Sequence, residues 1–327
     1  MIHERFPETR AALPRVELCD LPTPVRRLER LGVENLWVKD DSRSAPLWGG
    51  NKPRKLEWVL GDARAKGRRT ILTFGGLATN HGLATALYAR EHGMRCVLAL
   101  VDQPRDAHVE AQLERIRASG AHVHLTHTKA RTVLALPYLL ARYRRPYLLP
   151  AGGSSPVGAL GFVEAALELG EQVRAGDLPE PESIVLALGS GGSAAGLVAG
   201  LPLAGLRTRV RAVLVNDRLK LSEAVIRRLA ERTRKRLTAA GAHLDAPLAE
   251  VEVVEGFLGT GYGHATPEGD AAIRRAADAE GLALEPVYTG KALAAILAGA
   301  VPADGPVLYW HTHNAVSTGP VTDRPDA

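Results

Sequence analysis

The sequence predicts an α/β protein made of two parallel-sheet domains covered by helices. Three observations carry that expectation. Short β-rich runs alternate with helical periods along almost the whole chain, glycines stand where a run turns into the following helix, and no period of about 20 to 50 residues replaces the alternation with a solenoid. Ligands of such folds gather at the carboxyl ends of the strands, so the glycine-rich turns are the places to search.

After a polar start, LWVKDD at 36–41 reads as a strand entering a loop that ends in Trp48, Gly49, Gly50 and Asn51. Pro53 suits the opening of a helix, where its missing N–H would have no partner, so Lys52 falls at the cap with its side chain free. Leu56, Val59, Leu60 and Ala63 follow at helical spacing and fix that helix on a core; it closes near Lys66 and Gly67. We read Lys52 as the reactive residue, a mobile amine on a rigid base. The plainer alternative is a solvated lysine beside Arg54 and Lys55. TILTF at 70–74 is a strand, followed by Gly75, Gly76 and a helix from Asn80 to His92 that Gly93 ends.

The rhythm continues with strands at 96–101 and 122–126 around a helix at 109–119. Further on, a strand at 183–188 leads into a glycine loop and a helix, one at 209–215 precedes a helix from Ser222, and one at 250–254 precedes a helix from Pro267. VLYWHT at 307–312 is the final strand. The βα units between Arg64 and Pro156 form a compact set of their own. They predict a smaller inserted α/β domain over residues 64–156, with 1–63 and 157–327 forming the large domain.

Composition bounds the partners. The 327 residues are 46% hydrophobic yet hold no apolar run near the ~20 residues of a membrane span, so a soluble chain without a membrane partner is expected. The charged start MIHERFPETRAAL lacks the apolar block of a signal peptide, and Cys19 and Cys96 are too few for a disulfide framework; both point to the cytoplasm. The net charge of +5 is spread mostly as arginines among Asp and Glu, with Arg142, Arg144 and Arg145 clustered. With 5% aromatics and no nucleic-acid module, we expect no nucleic-acid partner and a surface that favours an anionic ligand.

Three sets of residues carry chemistry. Thr79, Asn80 and His81 open a helix after two glycines, where uncovered N–H groups seat a carboxylate or phosphate; plain capping accounts for the same residues. LGSGGSAAGL at 188–197 joins a strand to a helix, and its glycines let backbone N–H groups approach an anion while Ser190 and Ser193 add hydroxyls. Gly189, Gly191 and Ala194 also match G-x-G-x-x-A, and Asp217 ends the next strand where a ribose-binding acid would sit, which keeps an NAD-dependent oxidoreductase as the rival. Tyr262, Tyr288 and Thr312 form the late set; singly, each tyrosine fits a packed aromatic equally well. His122, His124 and His127, like His311 and His313, lack a partner that would complete a metal site, so no metal is expected.

In order, GGNKPRKLE at 49–57, TNH at 79–81, SGGSAAGL at 190–197, GYG at 261–263, PVYTGKA at 286–292 and VLYWHT resemble one family. It is the 1-aminocyclopropane-1-carboxylate deaminase and D-cysteine desulfhydrase family of pyridoxal 5'-phosphate enzymes, with the tryptophan-synthase-β-like fold (fold type II). The likeness runs from about residue 13 to 315. It implies that the large domain binds the cofactor. Lys52 matches the lysine that holds the cofactor covalently and moves the Cα proton, and Asn80 matches the residue beside the cofactor's phenolic oxygen. Ser190, Gly191, Gly192 and Ser193 fall in the phosphate loop, and Thr312 matches the hydroxyl partner of the ring nitrogen. Thr79 matches a serine that meets the substrate carboxylate, and Tyr262 and Tyr288 match tyrosines that face the substrate.

This chain departs from the pattern at Leu77, Ala78 and Thr79, where an Ile-Gln-Ser type of run is usual, and at His313 and Asn314, which replace a common Gly-Gly. Thr289 replaces the glutamate of the deaminase branch and points toward the desulfhydrase branch. The resemblance thus implies a lyase that acts by β-elimination on a small amino acid such as D-cysteine, giving pyruvate, ammonia and sulfide; 1-aminocyclopropane-1-carboxylate deamination is the alternative. We expect a homodimer.

Overall fold

The computed structural model describes residues 1–316 apart from Asp106 and Ala303. In chain order its elements are α1 (Ile2–Arg5), β1 (Val25–Arg27), β2 (Leu36–Asp40), α2 (Asn51–Ala65), β3 (Thr70–Gly76), α3 (Asn80–Glu91) and β4 (Arg95–Val101). There follow α4 (Ala107–Ala118), β5 (His122–His127), α5 (Lys129–Arg142), β6 (Tyr147–Leu149), α6 (Pro156–Ala175), β7 (Ser183–Leu188) and α7 (Gly192–Gly200). The chain closes with β8 (Arg209–Leu214), α8 (Glu223–Ala239), β9 (Val251–Val254), α9 (Pro267–Glu280), α10 (Thr289–Leu297) and β10 (Val307–His311). None of the described helices is long and apolar enough to cross a membrane.

Two sheets result. The larger runs β1-β2-β10-β7-β8-β9, parallel except for β1, and the smaller runs β5-β4-β3-β6, parallel throughout. The last strand thus inserts between β2 and β7, with Tyr309 opposite both Val38 and Val185. Apolar side chains of α6, α7 and α8 cover one face of the large sheet, while those of α9 and α10 cover the other. A third cluster joins α2, α3 and α4 to the small sheet.

The regions 128–182 and 289–297 hold elements that periodicity did not reveal, above all α6 and α10. Fourteen of the 20 residues of α6 and eight of the nine of α10 are buried, and helices so largely covered leave little polar stripe to read. α6 also lies very close to its neighbours: a Cβ at Gly161 would fall 2.0 Å from the Arg54 carbonyl oxygen, and one at Gly196 of α7 would fall 2.4 Å from the Phe162 Cβ. Glycine at these positions is what lets the helices touch along their backbones.

Beneath that contact lies a buried set of four charges. Arg54 donates from Nε to Asp41 at 2.9 Å and from Nη1 to Glu168 at 2.8 Å, and Lys39 donates to Glu168 and to the Thr23 carbonyl; all four charged side chains are at most 1% exposed. Trp310 Nε1 adds a bond to Asp41 at 2.8 Å. Burial alone would raise the Glu168 carboxyl, but Arg54 and Lys39 hold it down at about 2. Two cations and two carboxylates with their hydrogen bonds satisfied are tolerable in a core, whereas any three of them are not. The set ties α2, two residues beyond Lys52, to β2, β10 and α6.

Candidate active site

Loops from both sheets meet where the carboxyl ends of their strands come together, and they line an open cleft. Those after β2, β3, β7 and β10 come from three adjacent strands of the large sheet and a central strand of the small one, and the loops after β6, β8 and β9 and the turn before α10 complete the lining. The strands hold the loop bases rigid while the tips stay free for a ligand.

The loop after β2 carries Lys52. Gly50 caps α2 at φ +77, and a Cβ there would fall 2.5 Å from the Thr312 carbonyl oxygen. The helix opens at Asn51, so Lys52 lies in its first turn and not at the cap; Pro53 still occupies a position whose N–H needs no helical partner. Asn51 N donates to the Thr312 carbonyl at 3.1 Å and Gly49 N to Asn314 Oδ1 at 2.6 Å, which clamps this loop to the exit of β10. Lys52 Nζ donates to Asn51 Oδ1 at 2.6 Å. Burial lowers its pKa from 10.5 to about 8, with the Glu285 charge pulling the other way. Such an amine is partly neutral near pH 7, as a nucleophile and proton carrier must be.

The loop after β7 forms a cradle. Gly191 sits at φ +83, and a Cβ at Gly192 would fall 2.6 Å from Ser154 Oγ and 3.0 Å from Lys55 Nζ, so only hydrogen leaves the backbone open. Ser154 Oγ accepts from Gly192 N at 3.0 Å and donates to Ser190 Oγ at 2.8 Å; Ser193 Oγ accepts from Asn51 Nδ2 at 3.0 Å. Lys55, one turn after Lys52, reaches the same place and donates to the Gly152 carbonyl at 3.1 Å. Burial, and then the Lys52 charge, pushes its pKa well down. A helix start, serine hydroxyls and an ammonium short of charge partners make a seat for an anion.

Thr79 caps α3, its Oγ1 accepting from Gly82 N at 3.1 Å, and also lines the cleft. Asn80 lines it too, with Oδ1 accepting from Gln112 Nε2 at 2.9 Å. His81 is buried; Nε2 pairs with Thr73 Oγ1 at 3.0 Å, and Nδ1 has no hydrogen-bond partner among the described residues. Burial, then the charges of Lys52 and Lys55, keep it neutral.

Opposite stand Tyr262 and Tyr288, whose hydroxyls share a short hydrogen bond and whose rings meet edge-on at 6.0 Å. Burial raises both phenol pKa values. Tyr288 precedes α10, and a carboxylate unforeseen in the sequence folds over that helix start. Glu285 accepts from Val287 N at 2.8 Å, Tyr288 N at 2.8 Å and Thr289 N at 2.7 Å, and it lines the cleft. The Thr289 hydroxyl is turned to the same group, donating to Glu285 Oε1 at 3.1 Å, and Thr289 is 1% exposed.

Every residue singled out from the sequence for catalysis or cofactor binding therefore borders one cleft: Lys52, Thr79, Asn80, Ser190, Gly191, Gly192, Ser193, Tyr262, Tyr288 and Thr312. Lys55, Ser154, Glu285, Asn51 and Asn314 were missed. Lys55 had a signal, since i and i+3 share a helix face, and Asn314 had one in its departure from the Gly-Gly of the resemblance, two residues after Thr312; Ser154 comes from a distant part of the chain and had none. Asp217 does not sit free for a ribose: its Oδ1 accepts from Tyr262 N at 3.2 Å. His124 pairs with the Tyr143 hydroxyl, and His127 with Asp102.

A family model described as pyridoxal-phosphate dependent enzyme matches residues 16–313. A D-cysteine desulfhydrase of Klebsiella pneumoniae is 33% identical over 92% of this chain and 94% of the relative, and one of Serratia proteamaculans is 34% identical over 93% and 95%. Among solved structures, a homologue of 1-aminocyclopropane-1-carboxylate deaminase superposes with a TM-score of 0.79 at 28% identity, covering 96% of this chain and 95% of the other. An L-serine ammonia-lyase of Rhizomucor miehei shares the fold, with a TM-score of 0.61 at 18% identity over 91% and 94%.

Proposed function

The chain belongs to the pyridoxal-phosphate-dependent enzymes, and from that premise we propose that it converts a small β-substituted amino acid such as D-cysteine, with water, into pyruvate, ammonia and the leaving group, here sulfide. The observation that carries the proposal is the meeting, in one cleft, of a lysine lowered to about 8, a glycine-built anion cradle and a pair of protonated phenols.

The residues present fit the cofactor. The cradle at Gly191 and Gly192 has room for a phosphate only because no Cβ fills it, and Lys55 stands there as a counter-charge. Ser190, Ser193 and Ser154 would add hydroxyls. Asn80 would sit at the phenolic oxygen and Thr312 at the ring nitrogen, where a neutral hydroxyl does not impose a full positive charge. When bound, the cofactor draws electrons away from the substrate Cα. Lys52 would hold it in the resting enzyme and, as a neutral amine, would take the Cα proton. Thr79 anchors the substrate carboxylate at the start of α3, where backbone N–H groups favour an anion. Tyr262 and Tyr288 keep their protons at neutral pH, so one of them can donate to the departing thiolate while the other holds it in place.

Thr289 supports elimination over ring opening of the cyclopropane. Its hydroxyl and the Glu285 carboxylate are occupied with each other and with three N–H groups, which leaves neither free to act on a carbon–carbon bond. A panel of D- and L-β-substituted amino acids beside 1-aminocyclopropane-1-carboxylate tests this, with 2-oxo acid and ammonia as readouts. We expect D-cysteine and β-chloro-D-alanine to yield pyruvate, and ring opening as fast as the best elimination would refute the assignment. A cytoplasmic homodimer belongs to the same proposal and is tested by sedimentation of the purified chain.

A further inference from the structure

Tyr262 rides on a stretch that has little shape of its own. Gly256, Gly259, Gly261 and Gly263 all take positive φ, between +69° and +141°, and a chain so rich in glycine loses the most conformational freedom when it is ordered. Something outside the loop must therefore hold Tyr262 against Tyr288. Two side chains do so.

Lys291, in the first turn of α10, is 0% exposed and donates from Nζ to the Leu258 carbonyl at 2.7 Å. Asp217, just beyond β8, accepts the Tyr262 N–H at 3.2 Å. A buried ammonium is costly; the Glu285 and Asp217 charges offset part of that cost, and the Leu258 carbonyl that it holds gives the ammonium its hydrogen-bond partner, which a methionine filling the same space could not use. The placement matters further because α10 opens directly after Tyr288. One helix start thus sets both phenols, Tyr288 through the chain itself and Tyr262 through Lys291.

We propose that Lys291 and Asp217 are positioning residues that clamp the loop at 256–264, and that they act on turnover only through Tyr262. The inference rests on Tyr262 facing the substrate, as the function proposed above requires. The clamp itself is a separate matter and is decided by a separate measurement.

The experiment uses the holoenzyme and four variants: Lys291→Met, Lys291→Arg, Tyr262→Phe and the double variant Lys291→Met with Tyr262→Phe. Hydrogen exchange of the amides at 258–263 should accelerate at least about tenfold in Lys291→Met and recover in part in Lys291→Arg, which keeps the donor. Turnover of the best panel substrate should fall on the order of tenfold to a hundredfold in Lys291→Met, chiefly in kcat, because the phenol is misplaced rather than removed. In the Tyr262→Phe background the same change should cost little more, a non-additivity that a merely structural lysine would not show. Unchanged loop exchange, or losses that simply multiply in the double variant, would overturn the clamp. If Tyr262→Phe leaves turnover intact, the functional assignment of Tyr262 fails, and loop exchange alone then decides the clamp.

Discussion

Replacing Glu285 by Gln tests the electrostatics of the cleft most directly. Burial brings Lys52 from 10.5 to about 8, and the Glu285 charge opposes that fall. At pH 7 an amine of pKa about 8 is roughly one-tenth neutral, about 300-fold more than an ordinary lysine. Glu285→Gln removes the opposing charge, so burial acts alone and the apparent pKa drops further below 10.5, under the wild-type value of about 8. The neutral fraction near pH 6 to 7 then rises, while above pH 9 both proteins converge because both amines are already neutral. The variant also loses one acceptor at the start of α10, where Glu285 receives three N–H groups, at a cost of about 1 kcal/mol in stability. The assay is the rate at which apoprotein captures pyridoxal phosphate between pH 6 and 10, followed by the absorbance of the lysine-bound cofactor. A simple amine run alongside corrects for the cofactor's own ionisations. A capture profile that shifts to higher pH in Glu285→Gln, or does not move, would refute this account of Lys52.

Lys52→Ala should abolish turnover and leave no cofactor that borohydride can fix to the chain, as mass spectrometry of the reduced protein will report. Gly192→Asp puts a Cβ 2.6 Å from Ser154 Oγ and a carboxylate within reach of Lys55, so cofactor affinity measured by equilibrium dialysis should fall at least about a hundredfold, roughly 3 kcal/mol. Glu168→Gln strands Lys39 in the core and leaves Arg54 with Asp41 alone, and should cost about 3 to 5 kcal/mol in denaturant unfolding. In the parent chain Glu168 has a folded pKa of about 2 against an ordinary 4.5, so its contribution is complete above pH 4.5 and is lost as pH falls toward 2. That loss amounts to roughly 3 kcal/mol, and an acid unfolding midpoint that does not move in Glu168→Gln would count against it.

Local chemistry alone located the strand-turn-helix units and the glycine turns, because periodicity and turn residues act over a few positions. LWVKDD, TILTF and SIVLAL, at 183–188, form strands within one or two residues of expectation, and Thr79, Ser222 and Pro267 stand at helix starts as read. The ordered motifs also carried the family and its cofactor, since Lys52 and the glycine loop are short contiguous signals. Three things depended on the tertiary structure. α6 and α10 are buried over most of their length and show little stripe. Ser154 and Glu285 reach the site from loops that only the folded chain brings together, and Asp217, which matches a ribose-binding acid in the sequence, turns out to hold the Tyr262 backbone. The pKa of Lys52 belongs to the same group: an amine is made partly neutral by the water it loses and the charges it faces, and both are properties of the assembled cleft rather than of the residues on either side of it.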